Sequence, residues 1–509
     1  MIKKAAQMGT YIEEVFGFKG IYVPQGEVVY PQGYVVDSEN VSFDQDGTIR
    51  TVCINEIYDL TEYDFSPNIL GEPYKIVRGY KGASDDRYVL CIYDAGNIPY
   101  ILTFTGALKN DILYVPETAM VPSFSQSSDD MTTIYMIDRF AGYFKIYGTI
   151  SQIDGYYDEG AKSLAGAHIF PYKNRMWGYG LIKNPDGTVI GNGLRCSAIT
   201  SFPENEDGSP ATYTGADFWD EVYTDETADP PIDTVQGLAM KLSVRDNSFV
   251  TGAVPYGQQV YIFTPTSVSN LVGLTEETYQ INTLYEGDLG AWSGDLVPYG
   301  GIYYISKDGI YIFTTNPNKV SKPIEPYIDL SGIMVYNDGV STASMNQLKG
   351  YKNKIYFNNK ETLFVFNLLT NSWEKYKISQ MHSIFSYDAL YIGGNDSKIY
   401  TLDTGTTVLP WYVKSKVHSF YEIDTEKRPV ELLISYKSTE VKSVKVEVSY
   451  EGGAFETLGT FNTIVGENHQ SFYIYKYPIR TMQIKISGTG NFTLLGYKIY
   501  YRRYIRHGR

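Results

Sequence analysis

Three cysteines in 509 residues, Cys53, Cys91 and Cys196, are too few and too far apart for a disulfide framework or a CxxC metal clip. They fit buried thiols in a reducing compartment. Histidine is as scarce. His168, His382, His418, His469 and His507 never fall two, three or four positions apart, so no metal-ligand spacing appears. No run approaches 18 apolar residues, which excludes a membrane-spanning helix read from sequence. The first residues, Met1-Ile2-Lys3-Lys4-Ala5-Ala6-Gln7, lack the apolar stretch of a signal peptide. GxSxG, a P-loop and GxGxxG entering a helix are all missing, and no cofactor is expected. Helix signals are nearly absent. Only the first 14 residues admit a short helix, with Ile2, Ala5, Ala6 and Met8 on one face and Gly9 interrupting it.

What is abundant is tyrosine, 48 residues, alongside 47 glycines and 22 prolines. Tyr, Ile, Val and Thr suit a pleated, half-buried surface, and Gly and Pro punctuate it, so the chain reads as all-β. Most of the tyrosines read as strand fillers, and some as subunit contacts. A turn followed by an apolar residue and an aromatic recurs as Asn174-Arg175-Met176-Trp177, Gln258-Gln259-Val260-Tyr261, Asp308-Gly309-Ile310-Tyr311, Asn353-Lys354-Ile355-Tyr356 and Ser397-Lys398-Ile399-Tyr400. The aromatics lie 84, 50, 45 and 44 residues apart. Short strands at a period of roughly 40–50 residues predict a β-propeller. Six or seven blades fit between residues 72 and 410.

The long first interval is explained by an insertion over 201–233, which holds ten acids and no Lys or Arg. Its acids include Glu204, Glu206, Asp207, Asp217, Asp220, Glu221, Asp225 and Glu226. Such a run reads either as a solvated loop or as a partner-facing or lumen-facing arm. Residues 411–509 differ in character. Val441–Tyr450 and Met482–Ser487 alternate apolar and polar residues, which predicts half-buried strands of an antiparallel sandwich. Residues 1–71 are expected to supply strands that join this platform. Charge divides along the same boundary. Residues 1–410 carry 28 Lys+Arg against 49 Asp+Glu, a net −21, and residues 411–509 carry 15 against 9, a net +6. The basic tail holds Arg502, Arg503, Arg506 and Arg509, either a solvated terminus or an arm for an acidic neighbour.

Two motifs read as turns. Asp44-Gln45-Asp46-Gly47 opens like a calcium loop, but position twelve is Asn55 rather than Glu. Ser306-Lys307-Asp308-Gly309-Ile310-Tyr311 resembles a fragment of the sialidase Asp-box, itself a structural turn. Among 58 acids the sequence singles out no carboxylate pair for glycosidic chemistry.

Several segments, in order, resemble the β-propeller proteins of the lower tail of short-tailed bacteriophages, called nozzle, tail tubular, hub or stabilisation proteins. Asn40-Val41-Ser42-Phe43 through Gly47-Thr48-Ile49-Arg50 is similar to their opening motif. Asn174-Arg175-Met176-Trp177 with Leu194-Arg195-Cys196-Ser197 and Phe218-Trp219 resembles one blade. Val260-Tyr261-Ile262-Phe263 with Ser267–Gly273, and Tyr303–Phe313 with Lys322-Pro323-Ile324, resemble others. Thr51-Val52-Cys53 departs from the Arg-Pro-Gly usual after Arg50. The resemblance implies a structural virion protein, assembled in the host cytoplasm. Copies would form a ring, sixfold, below the portal and adaptor. Its lumen would conduct DNA without sequence-specific binding, and an acidic wall would repel it. The acidic insertion is then the candidate gate, and the arginine tail a candidate inter-subunit arm. A receptor- or glycan-binding tail-tip propeller and a propeller glycosidase are the alternatives.

Overall fold

The computed structural model describes residues 10–23, 32–62, 75–83, 87–94, 99–105, 112–114, 123–126, 133–138, 142–147, 152–155, 168–183, 189–197, 223–225, 232–234, 250–273, 278–330, 346–420, 426–476 and 478–503. They form a β-propeller with an antiparallel sandwich docked on it. Seven sheets make the blades. Blade 1 begins with Lys75–Lys81, blade 2 with Ser123–Gln126, blade 3 with His168–Tyr172 and blade 4 with Gly252–Tyr256. Blade 5 begins with Val297–Pro298, blade 6 with Gln347–Tyr351 and blade 7 with Met381–Ser386. These first strands lie innermost. Neighbouring blades pack side by side, and blade 7 packs against blade 1 to close the circle.

Apolar clusters between the blades hold the circle together. Val89, Cys91 and Ile101 of blade 1 meet Ile134, Met136 and Ile146 of blade 2. Phe263 and Val268 of blade 4 meet Ile302, Tyr304 and Phe313 of blade 5. Phe385, Tyr391 and Ile399 of blade 7 meet Tyr88, Leu90 and Phe104 of blade 1. Burying each such side chain stabilises the fold by about 1.5–3 kcal/mol.

The platform core forms between two sheets. In one, Gly466–Tyr473, Lys427–Ser438, Thr493–Arg503, Ile49–Thr51 and Val41–Phe43 are neighbours in that order, and Thr10–Val15 also pairs with Thr493–Arg503. The other runs Asp37–Glu39, Trp411–Lys414, Met482–Gly488, Ser443–Tyr450, Glu456–Asn462. The predicted alternation is real: Val444, Val446 and Val448 point inward, as do Met482, Ile484 and Ile486.

Two expectations for the N-terminal segment change. Ile2, Ala5, Ala6 and Met8 of the expected short helix lie outside the described residues, and Thr10–Val15, where it would end, is a strand. Its β-branched and aromatic residues favour a ladder, and Glu13 turns inward to His418, 2.9 Å away. Residues 1–71 also do not all join the platform. Cys53–Asp59 is the fourth strand of blade 7, between Lys398–Leu402 and the short Thr407–Val408, and Gly20–Ile21 pairs with the last strand of blade 6 at Trp373. A propeller has two free ends to fasten, and a strand from the far end of the chain satisfies the edge that blade 7 would otherwise expose.

Candidate functional site

Two polar clusters organise the molecule. One lies where the innermost strands converge. Arg78, on the first strand of blade 1, donates through Nη1 to both carboxylate oxygens of Asp295 at 3.2 Å. Lys349, on the first strand of blade 6, donates to Asp295 Oδ1 at 3.1 Å, and the Leu348 amide to Oδ2 at 3.2 Å. Asp295 itself sits just ahead of blade 5, 6% exposed. Burial alone would raise its carboxyl, but Arg78 and Lys349 overcome that and hold it well below the usual carboxylate range. Gln347 adds a neutral tie. It donates to the Val77 carbonyl of blade 1 and accepts from the Ile384 amide of blade 7, both at 2.8 Å. One carboxylate and one amide thus cross-link four blades at the axis.

His168 of blade 3 lies beside this cluster, with Ser123 Oγ of blade 2 at 3.0 Å from its Nδ1. Burial, with Lys349 and Arg78 adding to it and Asp295 opposing, pushes its imidazole down to about 4. Ser, His and Asp therefore meet, but not as a catalytic relay. A relay needs the carboxylate to orient the imidazole through a hydrogen bond. Here Asp295 bonds Arg78, Lys349 and a backbone amide, and the serine oxygen also accepts from the Ile169 amide at 3.2 Å.

The second cluster fastens the platform to blade 6. Glu374 is fully buried and accepts from Ser42 Oγ and the Phe43 amide at 3.2 Å, from Lys354 Nζ at 2.9 Å, and from the Tyr376 hydroxyl. Asn40, at φ 57°, is a hub. Its amide donates to the Lys375 carbonyl at 2.9 Å, its Nδ2 to the Pro410 carbonyl at 2.7 Å, and its Oδ1 accepts from the Lys377 amide at 2.7 Å. Asparagine tolerates this left-handed conformation better than most residues. Lys375 pairs with Asp37 at 2.6 Å, and Tyr412 donates to the same carboxylate at 2.7 Å. The Asn40-Val41-Ser42-Phe43 segment is therefore the clasp between the two parts of the fold. The Asp44–Gly47 segment behind it is a tight turn. Thr48 donates to Asp46 at 3.0 Å, and Gly47 has φ +80° with the Gly17 backbone where a Cβ would stand.

Of the gate candidates, Asp225 ends the strand Tyr223–Asp225, which pairs with Ile232–Thr234 in a two-stranded ladder. Glu204, Glu206, Asp207, Asp217, Asp220, Glu221 and Glu226 lie outside the described residues. Arg502 and Arg503 end the last platform strand, exposed, with the Arg503 guanidinium 4.9 Å from the Tyr11 ring centre. Arg506 and Arg509 lie outside the described residues. The axial cluster was not legible beforehand. Arg78, Asp295 and Lys349 are isolated charges in sequence, and only the circular arrangement brings them together. Among the described residues no group of three His, Cys, Asp or Glu is arranged to hold a metal, and no helix is long and apolar enough to cross a membrane.

No protein-family model and no curated protein matches this chain. Among solved structures it is similar to the extracellular domain of a one-component system from B. thetaiotaomicron, 10% identical with a TM-score of 0.40, over 91% of this chain and 64% of that one. It is also similar to BamB from Moraxella catarrhalis, 9% identical with a TM-score of 0.31, over 65% of this chain and 98% of that one. A third is Sqt1 from Saccharomyces cerevisiae, 8% identical with a TM-score of 0.33, over 64% and 95%. The chain spans about two-thirds or less of the first structure's length. The propeller assignment rests on the seven sheets themselves.

Proposed function

We propose that this chain is a structural protein of a bacteriophage tail, one copy of a sixfold ring that continues the DNA channel below the portal and adaptor and helps retain the DNA. The observation that carries this reading is apolar surface left exposed on the platform. Val441, Ile464 and Val465 are each at least 60% exposed on two adjoining turns, and Tyr475 is 88% exposed. The two turns are bound together by the Thr463 amide on the Lys442 carbonyl and the Lys442 amide on Thr463 Oγ1, both at 2.8 Å. Fixed aliphatic side chains held in water are a mark of a surface that meets another molecule. The outer strand of blade 4, Gln280–Glu286, adds an edge that no strand pairs among the described residues, with Leu284 exposed. The net charges of −21 over residues 1–410 and +6 over residues 411–509 favour a head-to-tail contact of the basic C-terminal strands on an acidic neighbour, the geometry a closed ring requires. The axial ion cluster supports a scaffold role for the propeller, because the groups there are spent on each other.

Mass photometry and negative-stain class averages test the proposal. A ring of about six copies is expected, and Val465→Asp with Val441→Asp should dissociate it without lowering the melting temperature. A chain that stays monomeric at every concentration and ionic strength overturns it.

A further inference from the structure

A cavity of about 410 Å³ opens at the seam between the Asp44–Gly47 turn of the platform and blades 6 and 7. That volume is within the range of small-molecule sites. Its walls include Asp44, Arg50, Tyr351, Lys352, Tyr356 and Asp403. Arg50 stands between the two carboxylates, its Nε 3.6 Å from Asp44 and its Nη1 and Nη2 3.4 and 3.5 Å from the two oxygens of Asp403. These contacts are long for charge-assisted hydrogen bonds, which settle at about 2.7–2.9 Å. All three groups therefore keep bonding capacity for something else.

Tyr356 is the second observation. It is only 5% exposed, lines the cavity, and its hydroxyl has no hydrogen-bond partner among the described residues. Two of the equivalent tyrosines in the repeat, Tyr311 and Tyr400, donate to Asp308 at 3.0 Å and Asp396 at 2.5 Å, whereas Tyr261 has Gln258 in its turn in place of an aspartate. In the Tyr356 repeat the turn carries Asn353 instead. Asn353 Oδ1 is taken by the Tyr299 hydroxyl at 2.7 Å.

The chemistry narrows the ligand. The wall cations Arg50, Lys352 and Lys354 face the wall carboxylates Asp44 and Asp403, and Lys354 is held from behind the wall by the buried Glu374, so charges of both signs are closely interspersed. A polyanion would meet two carboxylates, and a cation would meet Arg50 and Lys352. An apolar molecule would strip water from Arg50 and Tyr356 without replacing it. A hydroxyl group answers both demands, donating to a carboxylate while accepting from a guanidinium, ammonium or phenol. Leu369, more than half exposed, supplies apolar wall for a ring face. We propose that this seam cavity binds a neutral saccharide of one or two rings, with Asp44 and Asp403 accepting from its hydroxyls and Arg50, Lys352 and Tyr356 donating to them. The site is independent of the ring reading and would stand if the chain proved monomeric.

The test is calorimetric titration of the full chain with glucose, galactose, N-acetylglucosamine, maltose and lactose, and with glucuronate and glucose 6-phosphate as charged counterparts. Saturable binding of at least one neutral sugar is expected, with a Kd of about 1 mM or tighter for so small a ligand. Tyr356→Phe and Lys352→Ala should each weaken it about 5- to 10-fold. Tyr473→Phe, on the platform surface, should leave it unchanged. Because the Tyr356 hydroxyl has no hydrogen-bond partner among the described residues, Tyr356→Phe should retain the parent melting temperature. The proposal is overturned if no neutral sugar saturates, if a charged counterpart binds tighter than its neutral parent, or if Tyr356→Phe binds as well as the parent chain.

Discussion

Tyrosine explains itself at the scale of single residues. Its abundance reads in sequence only as β-propensity, yet a set of these side chains has a defined task. The hydroxyl of a tyrosine within the first three residues of a strand reaches back to an aspartate in or beside the preceding turn: Tyr311 to Asp308 at 3.0 Å, Tyr391 to Asp388 at 2.5 Å, Tyr400 to Asp396 at 2.5 Å. Each closes a hairpin with a bond to a charged acceptor, whose loss costs about 1.5–3 kcal/mol when the carboxylate is desolvated. Burial first, then the neighbouring carboxylate, pushes the Tyr400 phenol far above its ordinary value, so it stays protonated and a donor. Tyr400→Phe should therefore lower stability by about 1–2 kcal/mol, read as a lower urea midpoint at unchanged slope. Tyr356→Phe, at a repeat position without such a bond, should change the midpoint little. The turn-apolar-aromatic pattern was visible in the sequence. Which aromatics were stapled was not, because the partner Asp lies at offset three in Asp308–Tyr311 and four in Asp396–Tyr400.

At the scale of elements, the decisive one is the strand Cys53–Asp59. In sequence it follows the Asp-Gly hairpin so closely that it groups with the platform strands. Nothing local distinguishes it, since pairing with Lys398–Leu402 is set by ring closure across more than 300 residues. Strands whose partners are near in sequence, such as Lys354–Asn359 with Thr362–Asn367, were readable from their turns. The closing strand carries ladders on both sides. Ile54 faces Leu402 on one and Thr407 on the other. Ile54→Pro removes a ladder donor and forces the backbone out of register. The expected result is loss of hydrogen-exchange protection along Lys398–Leu402 and Met381–Ser386 while the platform strand Met482–Gly488 keeps its own. Equal loss in both parts would show that the platform and propeller unfold as one unit rather than opening at blade 7.

For the whole molecule, the charge imbalance along the chain was legible, but the axial cluster it conceals was not. Asp295, between Arg78 and Lys349, is the shared acceptor of blades 1 and 6, so Asp295→Ala leaves two cations facing each other and should cost about 3–5 kcal/mol. His168 beside it makes the propeller sensitive to acid. Ser123 faces its Nδ1, the Phe170 and Tyr179 rings lie against it, and Lys349, Arg78 and Asp295 supply the nearby charge. Burial, then the two cations, lower its folded value to about 4, against about 6.5 unfolded. Between those values the unfolded chain binds a proton that the folded chain does not. The stabilisation is fully present above about pH 6.5 and is lost as pH falls toward 4. His382, also lowered by burial and by Lys75, acts with the same sign. Asp295 acts elsewhere, since its contribution is lost only below its ordinary value near 3.8. Urea melts at pH 7.0, 6.0, 5.0 and 4.5 should show the parent chain weakening through this window, and His168→Gln should flatten the decline. If the variant keeps the parent's slope, the imidazole is as easily protonated folded as unfolded, and the cations at the axis do not act on it.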